Sequence, residues 1–280
     1  MRIIRSIKEM FKVSKEKRVR GKTIGFVPTM GALHEGHLSL IRRARQQNDI
    51  VVVSIFINPN QFGPKEDFKK YPRNLKQDSL LCKREGVDII FYPDASLMYP
   101  VNYRTYVFVE KLSDCLCGKV RPGHFKGVAT VVTKLFNIVS PDIAYFGQKD
   151  AQQAIIIKRM TRDLNIPVKI KVMPCLREKD GLALSSRNVY LNQKERKDAT
   201  VLYEALKKAK ELIRNGNSDA KKIISQIKRL INSEGITKID YISIVDLDSL
   251  EPIQKINNNC LIALAVWIGS TRLIDNITIK

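Results

Sequence analysis

Residues 23–57 read TIGFVPTMGALHEGHLSLIRRARQQNDIVVVSIFI. The run 23–27, which ends at Pro28, and the run Ile50–Ile57 are apolar and rich in Val, Ile and Phe, as is typical of strands that are buried on both faces. Between them, residues 38–47 place their apolar side chains on one helical stripe. Strand, helix and strand in this order predict a βαβ unit, and therefore an α/β fold with helices on both faces of a parallel sheet.

The alternation of strands and helices continues to Pro174, after which the pattern changes. Two amphipathic segments are then followed by three short apolar ones, an order that predicts a smaller α+β domain. We expect two domains, residues 1–176 and 177–280, with a hinge at Arg177–Asp180. Further helices are predicted at 3–20, 73–85, 126–139, 150–163, 193–213 and 218–232, and further strands at 87–92, 105–109, 142–146, 168–172, 239–245, 260–267 and 271–275.

The composition is that of a folded protein with a strongly basic surface. Of the 280 residues, 44% are hydrophobic, which is enough for a substantial core and argues against intrinsic disorder. Lys and Arg number 49 against 28 Asp and Glu, a net charge of +21. Such a charge can serve to attract an anionic ligand, or it can simply reflect a lysine-rich composition with the lysines spread over solvated faces. Most of the basic residues are scattered along the chain, which favours the second interpretation.

Apolar runs and cysteines bear on the cellular compartment. The longest nearly unbroken apolar runs have eight residues, whereas a membrane-spanning helix needs about 18. The first residues do not build the apolar core of a secretory signal. Five cysteines without zinc-site spacing are expected to be reduced. We therefore expect a cytoplasmic protein with no membrane partner.

The turn Pro28–His37 contains two of the three histidines in the chain. In an open parallel sheet, ligands bind beyond the carboxyl ends of the strands, where helix N-termini present N–H groups to phosphates. His34 and His37 are three residues apart, so both can face one anion, as hydrogen-bond donors or as imidazolium. The turn lacks the P-loop, G-x-G-x-x-G and H-E-x-x-H patterns. It therefore predicts a different kind of phosphate-binding site.

Five other segments carry similar information: SIFINPNQFG at 54–63, RPGHF at 121–125, YFGQKDAQQ at 145–153, DGLALSSRN at 180–188 and TRLIDN at 271–276. Together with PTMGALHEGH, they resemble the pantoate–β-alanine ligase family of the H-x-G-H nucleotidyltransferase superfamily. The resemblance covers nearly the whole chain. It implies a Rossmann-like domain that binds ATP and pantoate, residues 1–176, and a C-terminal α+β domain, residues 177–280, that forms a lid over the site.

The resemblance implies a ligase that condenses (R)-pantoate with β-alanine in two steps. ATP and pantoate form pantoyl-adenylate and pyrophosphate, and the β-alanine amine then displaces AMP to give pantothenate. The catalytic positions fall on His34 and His37, with His37 as proton donor. The pantoate-binding positions of the family correspond to Gln61 and Gln153, and Gln61 is also expected to lie near β-alanine. The ATP positions are Met30, Gly31, Ala32, Leu33, His34, Glu35, Gly36, His37, Gly147, Gln148, Lys149, Asp150, Leu176, Leu184, Ser185, Ser186 and Arg187.

Some of these roles also follow from side-chain chemistry. Lys149 can meet a phosphate, and Asp150 can cap the helix that follows it. The hydroxyls and guanidinium of Ser185–Arg187 suit the β- and γ-phosphates. Further candidate pocket residues are Asn58, Tyr71, Asp78, Arg121 and His124.

The resemblance also implies Mg²⁺, which bridges phosphate oxygens and needs few protein ligands, and a homodimer. Two alternatives stay open. A nucleic-acid-binding protein would suit the charge, but no RRM, KH or zinc-knuckle signature accompanies it. Another H-x-G-H nucleotidyltransferase, acting on a different small acid, would transfer the nucleotide onto its product instead of releasing AMP.

Overall fold

The computed structural model describes residues 1–64, 66–236 and 238–279. One sheet contains β1 (Arg2–Ile4), β2 (Ile24–Thr29), β3 (Ile50–Ile55), β4 (Ile89–Phe91), β5 (Ile143–Gly147) and β6 (Lys169–Met173). These strands are parallel and lie in the order β1-β4-β3-β2-β5-β6. A second, antiparallel sheet contains β7 (Ile239–Asp246), β8 (Cys260–Ile268) and β9 (Thr271–Ile279) in chain order.

The helices connect and cover these sheets. They are α1 (Ile7–Val19), α2 (Glu35–Gln47), α3 (Leu75–Arg84), α4 (Ala95–Met98), α5 (Cys117–Val120), α6 (His124–Val139), α7 (Ala151–Asp163), α8 (Gln193–Asp198), α9 (Val201–Arg214) and α10 (Ala220–Ser233). The parallel sheet is covered on both faces, with α1, α6 and α7 contributing to one apolar core and α2 and α3 to another. α9 and α10 pack on the antiparallel sheet around a third core.

The predicted fold class is confirmed: a parallel α/β sheet precedes a smaller antiparallel sheet with its own helices. The two parts share apolar surface, because Val245, Leu250, Leu261 and Ala263 belong to the core that contains α6. Among the described residues, no helix combines the length and apolar character needed to cross a membrane. The five cysteines are free thiols, as expected.

The strand that leads into the histidine turn is longer than predicted. β2 pairs with β3 from Ile24 to Thr29, but it pairs with β5 only at Gly25 and Phe26. Pro28 therefore lies beyond the pairing with β5, where its missing N–H breaks no contact with that strand. The prediction that the strand stops at Pro28 was wrong for this reason.

Three other predicted elements were wrong in part. The helix predicted at 3–20 begins only at Ile7, where Ser6 accepts a hydrogen bond from Glu9 N (3.3 Å), and residues 2–4 pair with β4 instead. The helix predicted at 193–213 is divided into α8 and α9 at residues 199–200. Residues 105–109 form no strand, and the Val107 N–H donates to the Thr130 hydroxyl (2.9 Å).

Candidate active site

An open cleft lies at the carboxyl ends of β2, β3, β5 and β6. Its empty space is about 1400 Å³ when the open mouth is included. Most of the residues that the sequence assigned to ligand binding line this cleft: Met30, His34, Gly36, His37, Gln61, Gly147, Lys149, Asp150, Gln153, Leu176, Leu184, Ser185, Ser186 and Arg187. Four stretches that are far apart in the chain, 30–37, 61, 147–153 and 176–187, therefore meet at one site.

The two histidines of the turn cap the helix that follows. His34 is the N-cap of α2, and its Nδ1 accepts a hydrogen bond from Gly36 N (3.1 Å). His37 Nδ1 accepts from His34 N (3.4 Å), which completes a reciprocal capping box. A Cβ atom on Gly36 would lie 2.8 Å from the His34 ring, so a side chain at this position would displace the ring from its capping position. Since both Nδ1 atoms accept, the neutral rings carry their protons on Nε2.

Both histidines are neutral at physiological pH in this arrangement. Burial, with a contribution from the Lys149 charge, lowers the pKa of His34 to about 4. Burial and the neighbouring His34 lower the pKa of His37 to about 3. The ring centroids are 4.1 Å apart. The pair therefore offers two neutral N–H donors, so of the two forms expected from the sequence, the donor form fits the structure.

The backbone of the turn is held by a buried carboxylate from α3. Asp78 accepts hydrogen bonds from Ala32 N (3.0 Å) and Leu33 N (2.8 Å). These bonds fix Ala32 in the left-handed region (φ 51°). Asp78 does not line the cleft, and its contacts give it a supporting role. Glu35 also points away from the cleft and pairs with Arg42 on the surface.

Gln61 belongs to a short 3-10 helix, Pro59–Gln61, on the side of the cleft formed after β3. Asn58 Nδ2 donates to Gln61 Oε1 (3.1 Å) and to the Gly127 carbonyl (3.1 Å), which joins this turn to α6. A Cβ atom on Gly127 would lie 2.1 Å from the Asn60 carbonyl oxygen. Because Gly127 has no side chain, the turn that contains Asn60 and Gln61 can pack closely against α6, and this contact sets the position of Gln61.

Arg121 and His124 support the same turn. His124 Nε2 lies 3.1 Å from Arg121 Nη1, and because a guanidinium can only donate, Nε2 accepts and Nδ1–H donates to the Gln61 carbonyl (2.7 Å). Burial and the Arg121 charge lower the pKa of His124 to about 3. Arg121 also donates to both carboxylate oxygens of Glu66 (2.7 and 2.6 Å).

Lys149 and Asp150 lie on the turn between β5 and α7. Their side chains are 3.4 Å apart. Burial is the largest influence on Asp150 and opposes its ionisation, but the charge and hydrogen bond of Lys149, together with the Arg187 charge, outweigh it and lower the pKa of Asp150. The prediction that Asp150 caps α7 was wrong, because its side chain makes no hydrogen bond to the helix N-terminus and meets Lys149 instead.

The C-terminal sheet holds this turn in place. Asn276, on β9, donates to the carbonyls of Gln148 (3.0 Å) and Lys149 (2.8 Å), and its Oδ1 accepts from Gln148 Nε2 (2.9 Å). The adjacent Asp275 is 2% exposed and pairs with Arg177 through two hydrogen bonds (2.6 and 2.8 Å). Gln148 thus faces β9 and does not line the cleft.

The serine–arginine loop, residues 184–190, lines the cleft with its residues 184–187 and contacts residues 67–71. Arg187 donates from Nε and Nη2 to the two oxygens of Asp67 (3.0 and 2.9 Å). Ser186 Oγ lies 3.2 Å from the Tyr71 hydroxyl. The sequence did not single out Glu66 or Asp67, and their only signal there is their place just after the SIFINPNQFG segment.

Fold and cleft define an α/β protein of the nucleotide-binding class, with a cationic, histidine-lined cleft beyond the carboxyl ends of its parallel strands. The model of the family described as "Pantoate-beta-alanine ligase" matches residues 2–278. The chain belongs to this family.

Proteins named pantothenate synthetase are similar to this chain over their full length. The protein of Fervidobacterium nodosum is 58% identical over 280 residues, and that of Heliobacterium modesticaldum is 57% identical; each comparison covers 100% of both chains. The crystal structure from Thermus thermophilus has a TM-score of 0.94 at 43% identity and covers 100% of both chains. A Francisella tularensis structure, complexed with β-γ ATP and β-alanine, has a TM-score of 0.81 at 38% identity and covers 99% of this chain and 97% of its own.

Proposed function

We propose that this protein condenses (R)-pantoate with β-alanine through a pantoyl-adenylate, releasing pyrophosphate and then AMP. One observation carries the proposal: two imidazole donors, a lysine, a serine–arginine loop and two amide side chains line a single cleft in a member of the pantoate–β-alanine ligase family. To activate a carboxylic acid with ATP, an enzyme must hold the phosphates and the acid next to each other. This cleft has side chains suited to each of the two.

The first step needs a site for charge that grows on the phosphates as the pantoate carboxylate attacks the α-phosphorus. We assign this charge to the Nε2–H groups of His34 and His37, which act as hydrogen-bond donors in their neutral form. The proton-donor role that the resemblance implies for His37 requires the imidazolium form and stays a prediction. Both rings are held by the capping box before the ligand arrives, so they need no reorganisation during the reaction. Lys149 and the Ser185–Arg187 segment serve the phosphates that leave as pyrophosphate.

The pantoate pocket combines amides with an apolar wall. Gln61 and Gln153 supply donors and acceptors for the hydroxyls and carboxylate of pantoate. Val128, Val131 and Val132 of α6 line the same cleft and suit the gem-dimethyl group. The β-alanine amine then attacks the acyl carbon near Gln61, and the carbon–oxygen bond to AMP breaks.

Mg²⁺ is proposed to accompany ATP. Within the described ranges, no cluster of three His, Cys, Asp or Glu side chains could hold a metal ion by itself. This fits an ion that is held mainly by phosphate oxygens and water, with the ionised Asp150 as the carboxylate that the cleft lining offers. When bound, the ion neutralises phosphate charge.

We also propose that residues 177–280 form a lid domain, because the serine–arginine loop lines the cleft and contacts Asp67 and Tyr71. The hinge at Arg177–Asp180 stays a prediction. The free state of the five cysteines supports a reducing, cytoplasmic setting.

The homodimer implied by the resemblance has a candidate surface in the segment predicted as a strand. Tyr106 is 44% and Phe108 50% exposed on this segment, whose backbone joins neither described sheet. We propose that two copies pair here. Phe108→Lys should yield monomers in sedimentation or light scattering, whereas a dimer that survives this change would place the interface elsewhere.

The activity is tested by supplying ATP, pantoate and β-alanine and following products by mass spectrometry. The proposal predicts AMP and pantothenate in equal amounts, both dependent on each substrate. Accumulation of a nucleotide-linked product, with no AMP, would favour a nucleotidyltransferase of another kind.

A further inference from the structure

We propose that Asp67 is a specificity-determining residue: it holds Arg187 until the nucleotide binds, and it therefore weakens the binding of a nucleoside triphosphate, which must displace it, without weakening the binding of AMP. The proposal rests on the function proposed above, which assigns Arg187 to the polyphosphate. It goes beyond that function because it gives a role to a carboxylate that contacts neither histidine nor either pocket glutamine.

The Asp67–Arg187 pair has the geometry that arginine also uses for phosphate. Nε and Nη2 donate in parallel to the two carboxylate oxygens at 3.0 and 2.9 Å. The side chains of Asp67 and Arg187 are 23% and 29% exposed, so the pair is partly shielded from water. A phosphate that takes the same edge of the guanidinium must displace the carboxylate, because one bidentate edge serves one partner at a time.

Two further contacts join the same pair of segments. The Tyr71 hydroxyl lies 3.2 Å from Ser186 Oγ, and the Tyr190 hydroxyl donates to the Lys70 carbonyl (3.3 Å). Residues 67–71 therefore fasten the serine–arginine loop, which lines the cleft. Once a ligand takes Arg187, the 67–71 segment loses its strongest contact while the loop gains a new one.

Selectivity follows from which phosphates reach Arg187. ATP carries the β- and γ-phosphates that the loop serves, so its binding exchanges one anionic partner of Arg187 for another. AMP lacks these groups and leaves the pair intact. Removing the Asp67 charge should therefore strengthen the binding of ATP and leave the binding of AMP unchanged.

The test is titration calorimetry of Mg-ATP and of AMP with the full-length protein and its Asp67→Asn variant. We expect the ATP dissociation constant to fall by about five- to tenfold, a tenfold change being ~1.4 kcal/mol, while that of AMP stays within about twofold. The matched control is Asp94→Asn, which also removes one negative charge but whose side chain makes no capping bond to α4. It should change neither constant.

A second comparison isolates the pair. In an Arg187→Ala background, Asp67→Asn should no longer tighten ATP binding, since the two effects act through one contact. An unchanged or larger ATP dissociation constant in a folded Asp67→Asn protein would overturn the proposal. So would equal tightening of ATP and AMP, which would mean that Asp67 acts only through the general charge of the cleft.

Hydrogen exchange on the unaltered protein gives a test that needs no variant. ATP should increase exchange in residues 66–71, and AMP should not; unchanged protection with bound ATP would mean that Arg187 uses Nη1 for the ligand and keeps Asp67, which would overturn the proposal. If the unaltered protein does not bind ATP, the proposed function fails as well. If it binds ATP but ignores the Asp67 change, only this inference fails.

Discussion

His34 has two tasks in one side chain, and substitution by asparagine separates them. Its Nδ1 caps α2 by accepting from Gly36 N (3.1 Å), while its Nε2–H is free to meet a phosphate in the cleft. Asparagine is among the best N-cap residues but places no ring nitrogen at the position of Nε2. His34→Asn should therefore keep the helix cap and lose the phosphate donor, whereas His34→Ala loses both.

The expected magnitudes differ for the two tasks. Loss of a good N-cap lowers the free energy of unfolding by about 0.5–2 kcal/mol, and only His34→Ala should show this decrease. Loss of one preorganised donor to a developing negative charge lowers the rate by about 10²–10³, or ~2.7–4 kcal/mol in the activation free energy. Both variants should show that decrease, because neither supplies the imidazole N–H.

The measurements are urea unfolding followed by circular dichroism, and single-turnover formation of pantoyl-adenylate in the absence of β-alanine. The predicted pattern is a stable but slow His34→Asn and a less stable, equally slow His34→Ala. If His34→Asn formed the adenylate within about threefold of the unaltered rate, the assignment of this histidine to the phosphates would be refuted.

Three further predictions concern stability and positioning. Asp275→Ala leaves the largely buried Arg177 guanidinium unpaired and should lower the free energy of unfolding by about 3–5 kcal/mol in urea melts; a loss below about 1 kcal/mol would contradict the buried-pair argument. Because the pKa values of the three histidines lie below the unfolded value of 6.5, the unfolded chain binds more protons than the folded chain between pH 6.5 and about 3, so stability should fall as pH falls through this window. In the His124→Gln variant, the stability should fall less over the same pH range. If the unaltered protein had the same urea midpoint at pH 7 and at pH 4.5, the predicted fall in stability would be contradicted. Gly127→Ala should push the Asn60–Gln61 turn away from α6 and raise the KM for pantoate more than the KM for ATP. Equal changes in the two KM values would contradict this prediction.

The βαβ start of the fold could be predicted because its signals are local. The runs at 23–27 and 50–57 are apolar enough to be strands buried on both faces, and the structure places β2 and β3 there. Short or edge elements carry weaker signals. β1 has three residues that also fit a helical pattern, and only its pairing with β4 makes it a strand.

The cleft could be predicted residue by residue only where a motif carries the chemistry within a few positions. His34, His37 and Lys149 belong to such motifs and line the cleft. Asp67 contacts Arg187, which lies 120 residues further along the chain, and Asn276 contacts Gln148, which lies 128 residues before it. No local pattern specifies such contacts, so the partner of Arg187 had to be found in the structure.

The central claim is that the cleft converts pantoate into a mixed anhydride with AMP, and isotope exchange tests it most directly. Labelled pyrophosphate is incubated with the protein, ATP and Mg²⁺, with and without pantoate and in the absence of β-alanine. The account predicts that label enters ATP only when pantoate is present. Exchange that is independent of pantoate, or no exchange in a protein that binds both substrates, would contradict it.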